Sequence, residues 1–136
     1  MLLYNLCIAL YAWLLSVVAL WNKKAKQWVA GRKNIFERMS AAIAPSDRVV
    51  WIHVASLGEF EQGRPIIEKI RNEKPEYKIL VTFFSPSGYE IRKNYAGADY
   101  IFYLPVDTPS NVKRFLDIAF KHSNDFNVFH RLPLSL

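Results

Sequence analysis

A parallel β-sheet flanked by helices, led in by a membrane-spanning helix, is the architecture the sequence predicts. Two observations carry that expectation. From Arg48 onward, short apolar runs alternate with amphipathic stretches, and strand–helix repetition of this kind builds parallel sheets with right-handed crossovers. Ahead of that region, residues 2 to 21 hold no charged side chain. The 136 residues suffice for one domain with a core of its own. Apolar residues make up 51% and charged residues 22%, which excludes a disordered polymer. A net charge of +6 favours anionic partners: phosphate groups, nucleic acid or an acidic membrane surface.

The opening run is "LLYNLCIALYAWLLSVVALW", with Asn5 and Ser16 its only strongly polar members. As a helix it would extend roughly 30 Å, the thickness of a bilayer's hydrocarbon core. Tyr4 and Trp21 stand near its ends, where amphipathic rings favour the headgroup layer. Cys7 is the only cysteine, so no internal disulfide forms, and inside an apolar run it reads as buried filler. Lys23, Lys24, Lys26, Arg32 and Lys33 follow, and no Lys or Arg precedes. The positive-inside rule therefore sets the body on the cytoplasmic side of a single-pass anchor at 1–21. Residues 22–46 become a basic segment along an anionic membrane surface. Two readings compete: a buried core helix, although one apolar on every face is uncommon in a small domain, and a simply solvated basic face. A cleaved leader is disfavoured, for no basic start or small-residue cleavage site is present.

The body is expected over 47–122. "RVVWIHVA" reads as a central parallel strand, apolar on both faces. "EFEQGRPIIEKIRNEKP" reads as a helix with Phe60, Ile66, Ile67 and Ile70 as its stripe, stopped before Pro75; Pro65 fits near a first turn or at a kink. "YKILVTFF" is the second strand, "SPSGYEIRKNYAG" a turn into a short helix, and "ADYIFYLP" the third strand. "DTPSNVKRFLDIAFKH" is an amphipathic helix with Val112, Phe115, Leu116 and Ala119 on one side, started by Thr108 and Pro109. The whole is a Rossmann-like half, in which functional groups collect at the carboxyl ends of the strands.

"ASLGE" follows the first strand. Ala55, Ser56 and Gly58 leave the backbone accessible, and the helix dipole favours a negative charge at Glu59. A carboxylate at a cleft is suited to taking a proton from an attacking hydroxyl. Capping the helix is the other role a first-turn glutamate fills, and physics alone favours it. At the next strand end, Thr82, Ser85, Ser87 and Gly88 offer hydroxyls and amides to an anion or sugar, or form an ordinary Pro/Gly turn with capping serines. Neither a P-loop nor a dinucleotide fingerprint is present, and His53, His122 and His130 are too scattered for a metal site.

Taken in order, "WIHVASLGEFEQGRPIIEKI", "ILVTFFSPSGYE" and "YLPVDTPSNVKRFL" resemble the N-terminal domain of the bacterial 3-deoxy-D-manno-octulosonic acid (Kdo) transferases of lipopolysaccharide synthesis. The resemblance runs from about residue 1 to 121, and the pairs Gly31-Arg32 and Glu37-Arg38 suit that family's opening. It implies a GT-B glycosyltransferase, two Rossmann-like domains facing across a cleft, moving Kdo from CMP-Kdo to a lipid A precursor at the cytoplasmic face of the inner membrane. No cofactor or metal is implied. The family's catalytic glutamate falls on Glu59, as general base. Ser56, Gly58, Thr82, Ser85, Ser87 and Gly88 become substrate-binding, and Arg64 a candidate for an acceptor phosphate, with a solvated helix arginine as the plainer role.

The sequence departs from that pattern at its end. "DFNVF" begins like the family's next strand, then residues 123–136 lose the pattern at His130, as a truncated, frameshifted or cut product would. The expectation is a chain carrying only the acceptor-side domain, with the second, nucleotide-holding domain missing and little activity alone. A non-catalytic, membrane-tethered lipid-binding fragment or an unproductive remnant is the alternative. Nucleic-acid binding is disfavoured, because the cations cluster beside the apolar run and not along a reading helix.

Overall fold

Residues 2–120, together with the backbone of Val128–Phe129, are described by a computed structural model. The chain runs α1 (Leu2–Val18), α2 (Lys23–Arg32), α3 (Ile35–Ala42), β1 (Val49–Val54), α4 (Leu57–Glu73), β2 (Lys78–Phe83), α5 (Pro86–Arg92), β3 (Tyr100–Tyr103), α6 (Pro109–Ala119) and β4 (Val128–Phe129). The four strands pair in parallel in the order β3-β2-β1-β4. β1 is thus a central strand, with Val49 opposite Lys78 and Val54 opposite Phe83 in β2. On its other side Trp51 and Ile52 lie opposite Val128 and Phe129. Those two residues belong to the "DFNVF" segment read as a strand; the rest of the atypical 123–136 tail lies outside the described residues.

Strand geometry sends alternate side chains to opposite faces, so the doubly apolar strands feed two cores. Val50, Ile52 and Val54 join Ile79, Val81 and Phe83 against Phe60 and Ile67 of α4. Val49 and Leu80 join Phe115 and Ala119 of α6 and Ile35, Phe36 and Met39 of α3 on the other face. The α6 stripe is borne out at Phe115 and Ala119, while Val112 is 44% exposed. Thr108 caps α6, its hydroxyl accepting from the Asn111 N–H.

The region ahead of β1 departs from the sequence reading. The expected transmembrane span is corrected: α1 has 17 residues, about 25 Å of helix, and no helix among the described residues is long and apolar enough to cross a membrane. The local reason is Asn22, whose side chain accepts from the Lys24 and Ala25 N–H groups and starts α2, so the chain turns through Ala19–Trp21. Cys7 is exposed on α1, not buried filler. Within 22–46, Ala25, Trp28, Ile35, Phe36, Met39 and Ile43 are buried, while Lys23, Lys24, Lys26 and Lys33 are exposed.

α4 passes through Pro65 without ending there, so of the two expectations for that residue the first-turn position does not apply. Gly63 sits in the buried stripe of the same helix, yet a β-carbon built there meets no atom within 4 Å. Gly63→Ala should raise stability by about 0.5–1 kcal/mol, since helix interiors favour alanine. A rise in the urea midpoint at unchanged slope would show it.

Candidate functional site

From β1 the chain builds β2 and β3 on one side, then crosses by α6 to β4 on the other. The strand order therefore reverses between β1 and β4. In open parallel sheets the ligand crevice lies outside the carboxyl ends of the strands at such a point. The segment leaving β1 there is "ASLGE".

Ser56 is the N-cap of α4, in an extended conformation, and its hydroxyl accepts from the Glu59 N–H at 3.4 Å. Glu59 reaches back, Oε2 accepting from the Ala55 N–H at 2.7 Å. This is a capping-box exchange shifted by one residue, so the local role weighed for Glu59 is present. It occupies one oxygen only. Oε1 carries no hydrogen bond among the described residues, and the residue is exposed. A β-carbon added at Gly58 would meet nothing nearer than Ser56 Oγ at 3.9 Å, so the space over the turn is open.

The loop after β2 is seamed to this turn. The Phe84 N–H donates to Val54 O at 3.2 Å and the Ser85 N–H to Ala55 O at 2.9 Å. Ser85 and Ser87 share a hydroxyl–hydroxyl bond of 2.6 Å beside it. Ser56, Gly58, Glu59, Ser85 and Ser87 thus stand on two joined loops at one end of the sheet. The other three candidates do not. Thr82 is fully buried, its Oγ1 accepting from Trp51 Nε1 at 2.9 Å and bonded to His53 Nδ1 at 3.0 Å, so its hydroxyl is consumed inside the sheet. Gly88 is buried for packing: a β-carbon would stand 2.5 Å from Phe83 Cδ1 and 3.1 Å from the Leu57 nitrogen. Arg64 lies along α4, away from the turn, between Glu61 at 3.4 Å and Glu68 at 3.7 Å.

Arg32 and Gly31 form a structural feature that the sequence reading missed. The Arg32 guanidinium donates from Nε to Leu104 O at 2.8 Å, from Nη1 to Trp28 O at 3.1 Å and from Nη2 to Phe84 O at 3.0 Å. It also stacks 3.8 Å from the centre of the Trp28 ring. Burial pulls its pKa down to about 10, which leaves it charged at neutral pH. One side chain therefore ties α2 to the loops at the ends of β2 and β3. Gly31 permits the approach, because a β-carbon there would fall 2.1 Å from Tyr103 Cε2. The only sequence signal was a Gly-Arg pair inside a basic stretch.

α1 docks beside the same loops. Asn5, Ile8, Ala12 and Leu15 form a half-buried stripe at helical spacing, Tyr4 donates its hydroxyl to Asp107, and Tyr11 meets Trp28 edge-on at 6.0 Å. Leu2, Leu3, Leu6, Leu10, Trp13 and Leu14 remain exposed, an apolar surface larger than soluble monomers ordinarily show. No group of His, Cys, Asp or Glu fit to hold a metal exists among the described residues.

Comparison with known proteins accords with these features. Residues 33–122 match the family model described as 3-deoxy-D-manno-octulosonic-acid transferase (kdotransferase). A 3-deoxy-D-manno-octulosonic acid transferase of Haemophilus influenzae is 25% identical over 115 residues, covering 84% of this chain and 26% of the relative. One from Aquifex aeolicus is 39% identical over 71 residues, covering 52% of this chain and 19% of the relative. A probable mitochondrial one from Arabidopsis thaliana is 32% identical over 77 residues, covering 56% and 17%. The chain spans about a quarter or less of the length of these relatives. No solved structure matches it significantly. With the match running from just ahead of α3 to just past α6 and the strand-end turn carrying Glu59 inside it, the chain belongs to the 3-deoxy-D-manno-octulosonic-acid transferase family.

Proposed function

We propose that this chain is the acceptor-side domain of a GT-B enzyme that transfers Kdo from CMP-Kdo to a lipid A precursor in lipopolysaccharide synthesis. The observation that carries the reading is Glu59: an exposed carboxylate at the carboxyl end of β1, where strand order reverses, held at one oxygen and open at the other. Glu59 takes the proton from the acceptor hydroxyl as that oxygen attacks the anomeric carbon. CMP departs with the electron pair of the breaking bond. The Ala55 N–H sets the direction of the open oxygen, and the serines of the second loop offer hydroxyls to the sugar. Most of the donor site belongs to the portion of the relatives that this chain does not span. The assay therefore uses a full-length protein carrying this domain, given CMP-Kdo and a lipid A precursor, with the product read by mass spectrometry. A Kdo adduct is expected; lipid binding with no adduct would favour the non-catalytic reading.

In place of a span, α1 lies in the interfacial plane of a bacterial inner membrane on its cytoplasmic side, with its bare apolar face in the acyl boundary and Lys23, Lys24 and Lys26 toward anionic headgroups. Both parts are supported by exposure: Leu2, Leu3, Leu6, Leu10 and Leu14 of α1 and these lysines are open to solvent. In flotation with phosphatidylglycerol-containing vesicles, Lys23→Glu with Lys24→Glu should lower partitioning by on the order of tenfold or more, at about 1 kcal/mol per cation. Leu6→Asp with Leu10→Asp should abolish it at any salt. Undiminished flotation of the leucine variant would remove α1 from the membrane.

A further inference from the structure

We propose that Arg32 is a positioning residue for Glu59, acting through the two peptide units that join the strand-end loops. The proposal rests on Glu59 being the base, and adds what holds it in place.

The connection is a set of backbone hydrogen bonds that converge on Ala55. Arg32 Nη2 donates to Phe84 O at 3.0 Å. That oxygen belongs to the same peptide unit as the Ser85 N–H, which donates to Ala55 O at 2.9 Å. Ala55 in turn gives its own N–H to Glu59 Oε2 at 2.7 Å. The Val54–Ala55 peptide that supplies this N–H accepts from the Phe84 N–H at 3.2 Å through Val54 O. The Phe84–Ser85 unit is therefore polarised in one direction, with a cation at its oxygen end and an acceptor at its nitrogen end. A positive charge on the carbonyl oxygen strengthens the N–H beyond it as a donor, which fixes Ala55 O; the Ala55 N–H belongs to the neighbouring peptide unit, so what reaches Glu59 is the position of Ala55 and not its polarisation.

Among the described residues Arg32 has no carboxylate as a hydrogen-bond partner: it meets three backbone oxygens and the rings of Trp28, Phe84 and Tyr103. Holding a cation in such surroundings is costly unless its charge is used. The planar fork reaches oxygens on α2 and on both strand-end loops at once, which a lysine's point charge does not reproduce. Arg32 touches neither Glu59 nor the open space over Gly58, so its effect passes through backbone.

The test pairs kinetics with a local reporter. In a full-length protein carrying this domain, Arg32→Lys should lower kcat on the order of 10- to 100-fold with KM little changed, the loss expected when a catalytic group is misplaced. In the 136-residue chain, the Ala55 amide proton resonance should respond to Glu59→Ala, which removes its acceptor, and Arg32→Lys should reduce that response at least about twofold as Ala55 loses its fixed position. Ser85→Pro removes the middle N–H without touching the arginine and should reproduce both effects. Ser85→Ala, which keeps the N–H, should retain the amide response. A folded Arg32→Lys with unchanged kcat and unchanged Ala55 response overturns the proposal. If that variant does not fold, Ser85→Pro decides by the same two readouts. Ordinary turnover in Glu59→Ala would instead sink the base assignment, whatever Arg32 does.

Discussion

Glu59→Gln, in a full-length protein carrying this domain, lowers kcat for Kdo transfer by on the order of 10²- to 10⁴-fold, the contribution of a positioned general base. Glutamine is the informative replacement because Glu59 has two roles that alanine would remove together. Its Oε2 accepts from the Ala55 N–H, and its backbone N–H donates to Ser56. A glutamine oxygen keeps the first of these bonds and the backbone keeps the second, while the side chain no longer accepts a proton. Its stability should lie close to that of the parent. Glu59→Ala loses the same turnover and also a cap interaction, about 1 kcal/mol. Acceptor binding should survive both changes, since the hydroxyls of Ser56, Ser85 and Ser87 remain. Full turnover in a stable Glu59→Gln protein would reduce Glu59 to a helix cap.

What the sequence made legible follows from the range of the forces involved. Doubly apolar runs identified β1 and β2, because a parallel strand must feed both faces and these residues do. Thr108 as a cap, and the capping role weighed for Glu59, were readable because capping is decided within four residues. The misreadings need partners far along the chain. Twenty uncharged residues look like a span, yet Asn22 ends the run by starting α2, and the helix lies against Trp28 and Asp107. Thr82 looked available as a strand-end hydroxyl. Strand pairing instead places it opposite His53, on the face shared with Trp51, where both consume it. Gly88 has the turn composition of a ligand loop, and only its neighbours Phe83 and Leu57 reveal that it serves packing. Arg32 lay within a basic run whose lysines are all exposed, and nothing local separates the one cation that turns inward.

The largest effect on stability is expected at the residue before that arginine. Gly31→Ala sets a β-carbon 2.1 Å from Tyr103 Cε2, 2.2 Å from Cδ2 and 3.0 Å from Cζ, distances at which something must move. Tyr103 is held on every side: it is fully buried, stacks on Tyr89 at 4.1 Å between ring centres and bonds Glu90 through its hydroxyl at 3.2 Å. α2 must then lift from the sheet, and overpacking of this kind costs about 1–3 kcal/mol, a large part of the 5–15 kcal/mol that holds a domain together. Gly63→Ala is the matched control, for it makes the same substitution inside a helix where the added methyl meets nothing. The two should shift the urea midpoint in opposite directions. Helix propensity favours both by about 1 kcal/mol, so their difference isolates the collision. Replacing Tyr103 by leucine opens the space, and in that background Gly31→Ala should become neutral or stabilising. A double-mutant cycle among the four proteins should return an interaction energy of about 1–3 kcal/mol, as contacting residues do. A coupling near zero, or a Gly31→Ala chain as stable as its parent, would mean that α2 does not sit against β3, and that Arg32 does not join the two loops.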